Sequence, residues 1–169
     1  MKVYITGSYP DIKVRSDLLD RLKKDKQVAK KIANGELELI DIGASLQYTE
    51  EQNKELLYAD KNAKNLSEKI SGTNDVGIIF CKSGVGALNY SVVFPYNIVG
   101  KPDSAKEAKF IREKCGVSIL AFSSEYSKFL FSKVRAFILA QPDFNDEDLT
   151  TTKQRITKRK AELFREINK

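Results

Sequence analysis

The fold of this 169-residue chain is decided by the stretch VGIIFCKSGVG at residues 76–86. It opens with Val76–Phe80, a β-branched and aromatic run of the kind found in buried strands of parallel sheets. Such a strand delivers Cys81 to the edge of the sheet, and Gly84 and Gly86 then let the chain turn tightly into a following helix. The stretch therefore predicts the strand, turn and helix of one βαβ unit.

The same alternation of short strands with longer helical patterns extends outward over most of the chain, and it predicts βαβ units around a parallel sheet. The predicted strands are Lys2–Thr6, Leu37–Ile42, Val76–Cys81, Asn97–Val99 and Ser118–Phe122. Helices are predicted in the stretch that contains Ile12, Val14, Leu18, Leu19 and Leu22, and over Glu50–Ile70, Ala87–Val93, Ser104–Lys114 and Glu125–Ala140. Pro142 ends the alternation, because proline interrupts both helices and ladders.

The composition is that of one globular domain, with 41% hydrophobic and 31% charged residues. No apolar run reaches the ~18 residues that a membrane span needs, and the N-terminus lacks the long apolar segment of a signal peptide. We therefore expect a cytoplasmic protein with no membrane partner. In that reducing compartment, Cys81 and Cys115 are expected to remain free thiols.

The sequence contains no histidine, which removes the usual general base and the commonest metal ligand. This absence excludes catalytic groups built on Ser-His-Asp, Cys-His or His-Glu-x-x-His. A dinucleotide-binding fingerprint is also incomplete, because Asn89 stands where its third glycine belongs, and no P-loop spacing is present. We therefore expect neither a metal nor a cofactor.

The C-terminal part, residues 143–169, is predicted to be a basic helical extension of an α/β domain formed by residues 1–142. From Thr150 to Lys169, seven basic residues stand against two acidic ones, so this segment carries five of the six net positive charges. Its thin apolar stripe consists of Ile156, Leu163, Phe164 and Ile167. Such a terminal helix usually docks on another surface, and a second copy of the chain would provide one. A solvated helix face and nucleic-acid binding are the alternatives, the latter the weaker because the helix has a single aromatic residue.

Ligands of open parallel sheets bind at the carboxyl ends of the strands, where the loops here are residues 7–11, 43–48, 81–86, 100–103 and 123–125. The loop 81–86 is the most informative, because its glycines and the start of the next helix can point N–H groups at an anion. The same positive field would favour a thiolate on Cys81, which could then act as a base. The alternative is that Cys81 is a small buried apolar residue at a strand end.

These pieces, in this order, resemble ribose-5-phosphate isomerase type B, a family that includes the paired subunits of galactose-6-phosphate isomerase. The best motif is Cys81–Gly86, which is similar to the family's C-G-T-G-x-G. Supporting matches are the strand ends at Gly7-Ser8, Asp41-Ile42-Gly43 and Ile119-Leu120-Ala121-Phe122-Ser123. The resemblance covers residues 1–142 and, more loosely, the tail to about residue 163. It implies a doubly wound, three-layer α/β/α sandwich with a five-stranded parallel sheet and an extra C-terminal helix.

The resemblance also implies an activity and a set of site residues. The activity would be aldose–ketose isomerisation of a phosphorylated sugar, such as ribose 5-phosphate to ribulose 5-phosphate, through an enediolate and without a metal. Cys81 would be the base that moves the proton between C1 and C2, with Ser83 beside the thiol. Arg155 would bind the phosphate across a homodimer. The oxyanion would be held by the backbone N–H groups of Gly84, Val85 and Gly86.

Several positions depart from the family pattern. Where the family has G-S-D-H-A-G after its first strand, this chain has GSYPD, so Ser8, Tyr9 and Asp11 are the candidates to line the substrate there. Lys82 replaces a glycine of the loop, where it would either add a positive charge for the phosphate or block the pocket. Lys114 stands in place of the family's ring-opening histidine.

These departures leave three hypotheses open. The chain is an isomerase with an altered pocket for a pentose or hexose phosphate, a degenerate subunit completed by a related second chain in a hetero-oligomer, or a protein that only binds or regulates. The family offers a precedent for the second, because one subunit type of galactose-6-phosphate isomerase has a degenerate site. The retained thiol favours the first.

Overall fold

Five parallel strands form one sheet in the computed structural model of the chain, which describes residues 1–54, 56–71, 73–94, 97–143, 151–152, 154–159 and 161–162. The strands are β1 (Lys2–Gly7), β2 (Glu38–Asp41), β3 (Val76–Cys81), β4 (Val99–Gly100) and β5 (Ile119–Ser123). Their order across the sheet is β2-β1-β3-β5-β4. Since β3 lies between β1 and β5, the loops that follow these three strands meet at the carboxyl edge of the sheet.

Helices cover both faces of this sheet. They are α1 (Ile12–Lys24), α2 (Lys26–Ala33), α3 (Glu50–Lys54), α4 (Ala59–Ile70), α5 (Val85–Val92), α6 (Ala105–Cys115) and α7 (Leu130–Leu139). The core of one face takes residues from α1, α2, α6 and α7, and the core of the other takes residues from α4 and α5. This confirms the doubly wound, three-layer sandwich. The described residues between 151 and 162 are helical, in agreement with the extra C-terminal helix.

Alternate residues of the central strand enter the two cores. In β3, Ile78 and Phe80 pack beneath α1 and α7, whereas Ile79 packs beneath α4 and α5. Because successive strand side chains point to opposite faces, Cys81 lies on the same face as Ile79 and packs against the second core. The pleat of β3 therefore decides that α4 and α5 surround the thiol.

The segment predicted as one helix over Glu50–Ile70 is divided into α3 and α4. Asn62, which is fully buried, donates its side-chain amide to the carbonyls of Leu56 and Tyr58. Those carbonyls belong to the loop between the two helices, and a buried amide that binds them holds the loop in place. The sequence pattern missed this break because periodicity does not register a single buried polar residue.

The last helix of the α/β domain begins at Leu130, five residues later than the sequence indicated. Its predicted beginning is a turn in which the hydroxyl of Ser123 accepts hydrogen bonds from the N–H groups of Glu125 and Tyr126. Phe129, immediately before the helix, has a φ of 54°, which a regular helix does not allow. Local side-chain bonding therefore replaces the first predicted turn of α7.

Two short elements also differ from expectation. The fourth strand is Val99–Gly100 rather than Asn97–Val99, because buried Asn97 donates its amide to Ser67 and to a carbonyl of α5 and lies outside the ladder. The helix α2 was not predicted. Asp25 caps its amino end, because the carboxylate accepts hydrogen bonds from two backbone N–H groups in the first turn of the helix.

Both cysteines are free thiols, as the sequence predicted, with Cys81 half-buried and Cys115 exposed. Within the ranges that the structure describes, no helix is both long and apolar enough to cross a membrane. Of the apolar stripe predicted for the tail, Ile156 is half-buried, whereas Leu163, Phe164 and Ile167 lie outside the described residues.

Candidate functional site

The thiol of Cys81 lies at the carboxyl end of β3, in contact with the loop that leads into α5. Its sulfur accepts hydrogen bonds from the backbone N–H groups of Gly84, at 3.2 Å, and of Ala87, at 3.3 Å. Ala87 belongs to the first turn of α5, where N–H groups are unpaired and the helix dipole is positive. The thiol is therefore held between the loop and the amino end of α5.

The loop around the thiol is fixed to the end of β5. Gly84 has a φ of 78°, and a Cβ at this position would come within 2.8 Å of the Ser123 backbone nitrogen. The hydroxyl of Ser123 donates to the Lys82 carbonyl at 2.6 Å, and the N–H of Ser124 donates to the Cys81 carbonyl at 3.0 Å. Only glycine satisfies both the left-handed backbone and the close approach at residue 84. The N–H groups of the loop are therefore held in place before any ligand arrives.

Two N–H groups of this loop remain available to a ligand. Those of Ser83 and Gly86 make no hydrogen bond within the part of the chain that the structure describes. The N–H of Val85 is occupied by the Ser83 hydroxyl at 3.3 Å, so this hydroxyl caps α5 and does not contact the Cys81 sulfur. Of the three predicted oxyanion donors, Gly84 and Val85 therefore donate within the loop, and Gly86 keeps its N–H available.

The apolar surroundings of the thiol come from α4 and α5. A Cβ placed on Gly86 would lie 3.3 Å from Ala59, 3.7 Å from the Cys81 sulfur and 3.8 Å from the ring of Tyr90. Tyr90 is exposed, and sequence reasoning did not identify it. The available signal was the composition of α5, which is mostly apolar, whereas a surface helix is normally apolar on one side only. Its exposed apolar side chains are Val85, Tyr90 and Val92.

The predicted residues after β1 form a closed turn on the other face of the sheet. Asp11 is fully buried, and one oxygen of its carboxylate accepts hydrogen bonds from the N–H and the hydroxyl of Ser8, both at 2.8 Å. Its second oxygen is buried and has no hydrogen-bond partner in the structure. A Cβ on Gly7 would contact both Asp11 and Phe80, which places the carboxylate on the α1 side of the sheet. Tyr9 is exposed to solvent.

A buried arginine that sequence reasoning missed holds the ends of β1 and β2 together. Arg15 is 1% exposed, pairs with Asp41 at 3.2 Å, and donates to the carbonyls of Gly7, at 2.6 Å, and of Ala44. A Cβ on Gly43 would lie 2.5 Å from its guanidinium, so a side chain at that position would displace the arginine. Sequence reasoning missed Arg15 because an arginine in an amphipathic helix is ordinarily a surface residue. The available signal of a buried side chain at this place was Gly43, which follows the strand that ends in Asp41.

A shallow cavity of about 450 Å³ adjoins the loop on the α1 side of the carboxyl edge. Lys82 lies on its wall with its side chain largely exposed, and its ammonium is 3.6 Å from the Glu125 carboxylate. Lys13 lies on the same wall and pairs with Asp17 at 2.8 Å. Lys82 therefore does not close over the thiol. Sequence reasoning did not single out Glu125.

Lys114, one of the predicted site residues, lies at the opposite, amino edge of the sheet. Lys114 is at the end of α6, which leads into the amino end of β5, and it pairs with Asp143. The hydrogen bond and the charge of Asp143 raise the pKa of Lys114. Arg155 is helical and exposed, and it makes no hydrogen bond or ion pair with residues that the structure describes.

Comparisons with known proteins identify the fold. A scan against family models found no match to this sequence, and a search of curated proteins found none either. Among solved structures, the type B ribose 5-phosphate isomerase of Trypanosoma cruzi superposes with a TM-score of 0.72 at 14% identity, covering 96% of this chain and 99% of that one. The type B ribose 5-phosphate isomerase of Leishmania infantum superposes with a TM-score of 0.70 at 16% identity, covering 96% of this chain and 97% of that one. The enzyme of Thermotoga maritima superposes with a TM-score of 0.68 at 16% identity, covering 93% of this chain and 97% of that one. The chain has the fold of these proteins over nearly its whole length.

Proposed function

We propose that this chain, which shares its fold with type B ribose 5-phosphate isomerases, is an aldose–ketose isomerase of a sugar phosphate. The observation that carries the proposal is the thiol of Cys81, which accepts two backbone hydrogen bonds at the carboxyl edge of the sheet. Ligands of open α/β sheets bind at this edge. Beside the thiol, the free N–H groups of Ser83 and Gly86 supply donors for a developing negative charge.

The chemistry assigned to these groups is a proton transfer within the open-chain sugar. The Cys81 thiolate takes the proton from C2 of the aldose, and the electron pair of that C–H bond forms a C1–C2 double bond. The C1 carbonyl oxygen thereby becomes an enediolate oxygen, to which the loop N–H groups donate. After a proton passes from the C2 hydroxyl to this oxygen, the thiol returns its proton to C1 and the ketose forms. No redox partner is consumed, and each atom is accounted for.

The phosphate and the ring-opening step require groups besides the loop. Lys82 and Lys13 on the wall of the shallow cavity are the cations that this chain offers a phosphate, which would replace Glu125 and Asp17 as their partners. Tyr9 is an exposed candidate for ring opening, whereas the Asp11 carboxylate is enclosed in its own turn. The exposed apolar residues of α5 favour a second copy of the chain on that side, in which case Arg155 of the copy could reach the phosphate.

A second candidate function is that of a subunit or regulatory protein that binds a sugar phosphate without turning it over. The placement of the polar groups favours it, because Asp11 is enclosed on the opposite face and Lys114 pairs with Asp143 at the opposite edge. In that case, a related chain would have to complete the catalytic site. The two candidates predict the same binding and differ only in turnover.

Interconversion of a panel of pentose and hexose phosphates by the purified chain distinguishes them. The isomerase proposal predicts turnover of at least one sugar, and Cys81→Ala should reduce its rate at least ~10²-fold, the usual effect of removing a general base. Cys115→Ala is the matched control, because that thiol is exposed and remote from the loop. Binding of a sugar phosphate without turnover by the folded wild-type chain would select the second candidate.

A further inference from the structure

A second cavity, of about 500 Å³, lies at the amino edge of the sheet, opposite the edge that carries Cys81. Its wall includes Leu37 and Asn74, which precede β2 and β3, and Ile138 and Ala140 at the end of α7. A volume of this size is typical of sites for small molecules. The proposed isomerisation makes no use of this cavity.

The wall of the cavity also contains Arg112, a charged side chain that is only 5% exposed. No carboxylate within the described ranges forms an ion pair with it. Burial lowers the pKa of Arg112 to about 10, so the guanidinium remains positively charged near neutral pH. A buried charge without a counterion is costly for a fold, and an anion in the cavity would offset that cost.

The hydrogen bonds of Arg112 leave one edge of the guanidinium poorly occupied. Its Nη1 donates to the Val117 carbonyl at 3.1 Å. Its Nη2 has only the Asn74 carbonyl at 3.4 Å and the Met1 sulfur at 3.9 Å, and its Nε has no partner. Because Nε has no accessible surface, a ligand in the cavity meets the guanidinium at Nη2, whose two present contacts are long. The thioether of Met1 is a flexible cover that a ligand can displace.

The other groups of the cavity define the charge and the body of the ligand. Lys31 and Glu36 pair at 2.9 Å and neutralise each other, whereas Arg112 and the ammonium of Met1 have no carboxylate partner among the described residues, so the wall favours an anion. The rest of the wall is largely apolar, and it includes Leu37, Ile138, Ala140 and Pro142. We propose that this cavity binds a small carboxylate with an apolar body, whose carboxylate accepts a hydrogen bond from Nη2 of Arg112.

An NMR titration of the full-length ¹⁵N-labelled chain tests this proposal. Benzoate is the probe, benzyl alcohol is its uncharged analogue, and inorganic phosphate is an anion of different shape and charge. Benzoate is expected to shift the resonances of Asn74, Arg112 and Val117 saturably, with a Kd on the order of 1 mM. The resonances of residues 81–86 should not move. Equal affinities for the three probes, or no saturable shift with benzoate, would overturn the proposal.

Two variants of the cavity should lose benzoate binding. Arg112→Gln removes the charge and should weaken binding ~10-fold or more. Ala140→Leu keeps the arginine and fills the cavity, so the same loss is expected without removal of the Val117 hydrogen bond. Arg135→Gln, which alters an arginine paired with Asp25 outside the cavity, is the control and should bind as the wild type does. Wild-type affinity in a folded Arg112→Gln or Ala140→Leu chain would contradict the proposed site.

Discussion

Two buried arginines lie at opposite edges of the sheet, and they differ in how the fold compensates their positive charge. At the carboxyl edge, Arg15 pairs with Asp41 and donates to backbone carbonyls that follow β1 and β2. At the amino edge, Arg112 has one good carbonyl acceptor, Val117, and no carboxylate among the residues that the structure describes. Burial alone therefore does not define the role of an arginine. Arg15 is satisfied within the fold, whereas Arg112 is left with capacity for a ligand.

The largest expected effect is that of Arg15→Met on stability. The substitution leaves Asp41 without its cation and the Gly7 and Ala44 carbonyls without their donor, at an expected cost of ~3 kcal/mol in the free energy of unfolding. Urea denaturation followed by circular dichroism measures this loss. A change below ~1 kcal/mol would show that Arg15 does not hold β1 and β2 together.

Gly84→Ala should cost ~2 kcal/mol and should also impair catalysis, because a Cβ there meets Ser123 and opposes the positive φ. Gly35→Ala is the matched control. Gly35 has a φ of 73° with nothing within 4 Å of the added Cβ, so it should show only the backbone term of ~1 kcal/mol. Thermal unfolding and isomerase rates of the two variants test this pair. Equal losses of stability, with full activity in both, would contradict the close approach of the loop to β5.

The substitution Asp25→Ala breaks an ion pair whose expected contribution to stability lies between those of Arg15 and Arg112. Asp25 caps α2 and pairs with Arg135 at 2.8 Å, so its loss should cost ~1 kcal/mol. Burial opposes ionisation, but the hydrogen bonds from Arg135 and Val28 outweigh it and lower the pKa of Asp25 below its ordinary value of 3.8.

A lowered pKa in the folded state means that the carboxylate stabilises the fold above about pH 4 and that this contribution is lost as the pH falls through the folded-state pKa. The difference in unfolding free energy between the wild type and Asp25→Ala should therefore be full at pH 6 and shrink toward pH 3. Urea titrations across that range measure it. A difference that grows as the pH falls would contradict this assignment.

The smallest expected effect is that of Arg112→Met. This substitution leaves the Val117 and Asn74 carbonyls without their donor and removes the contact with the Phe137 ring, but it also removes a buried charge that has no carboxylate partner among the described residues. The two effects oppose each other, so the unfolding free energy should change by less than ~1 kcal/mol. The comparison with Arg15→Met is the decisive one. A loss as large as that of Arg15→Met would mean that Arg112 is as much a part of the fold as Arg15, and the contrast between the two edges would disappear.

The sequence predicted the strands and the Cys81–Gly86 loop well, because both depend on local patterns of apolar residues and glycines. It did not predict either buried arginine, because their burial depends on packing between separate elements, as where Arg15 meets Ala44 and Arg112 lies over the Phe137 ring. Nor did it show that the Asp11 carboxylate turns toward Ser8, because that depends on the packing of Gly7 against the neighbouring strand.

The placement of Lys114 illustrates a further limit. A position matched to a family motif carries no information on which edge of the same sheet it occupies, and only the direction of α6 into β5 shows that Lys114 lies away from Cys81. Within its own chain, Lys114 is therefore too far along the sheet to act at Cys81.

Solvent-deuterium incorporation during sugar-phosphate interconversion shows whether Cys81 is the base. The wild-type chain, incubated in ²H₂O with the sugar phosphate that it turns over, should place deuterium at C1 of the ketose and C2 of the aldose, because a proton on the Cys81 sulfur can exchange before its return. Cys115→Ala should do the same, and Cys81→Ala should incorporate none. Incorporation by Cys81→Ala at the wild-type rate would show that another group is the base and would contradict the account.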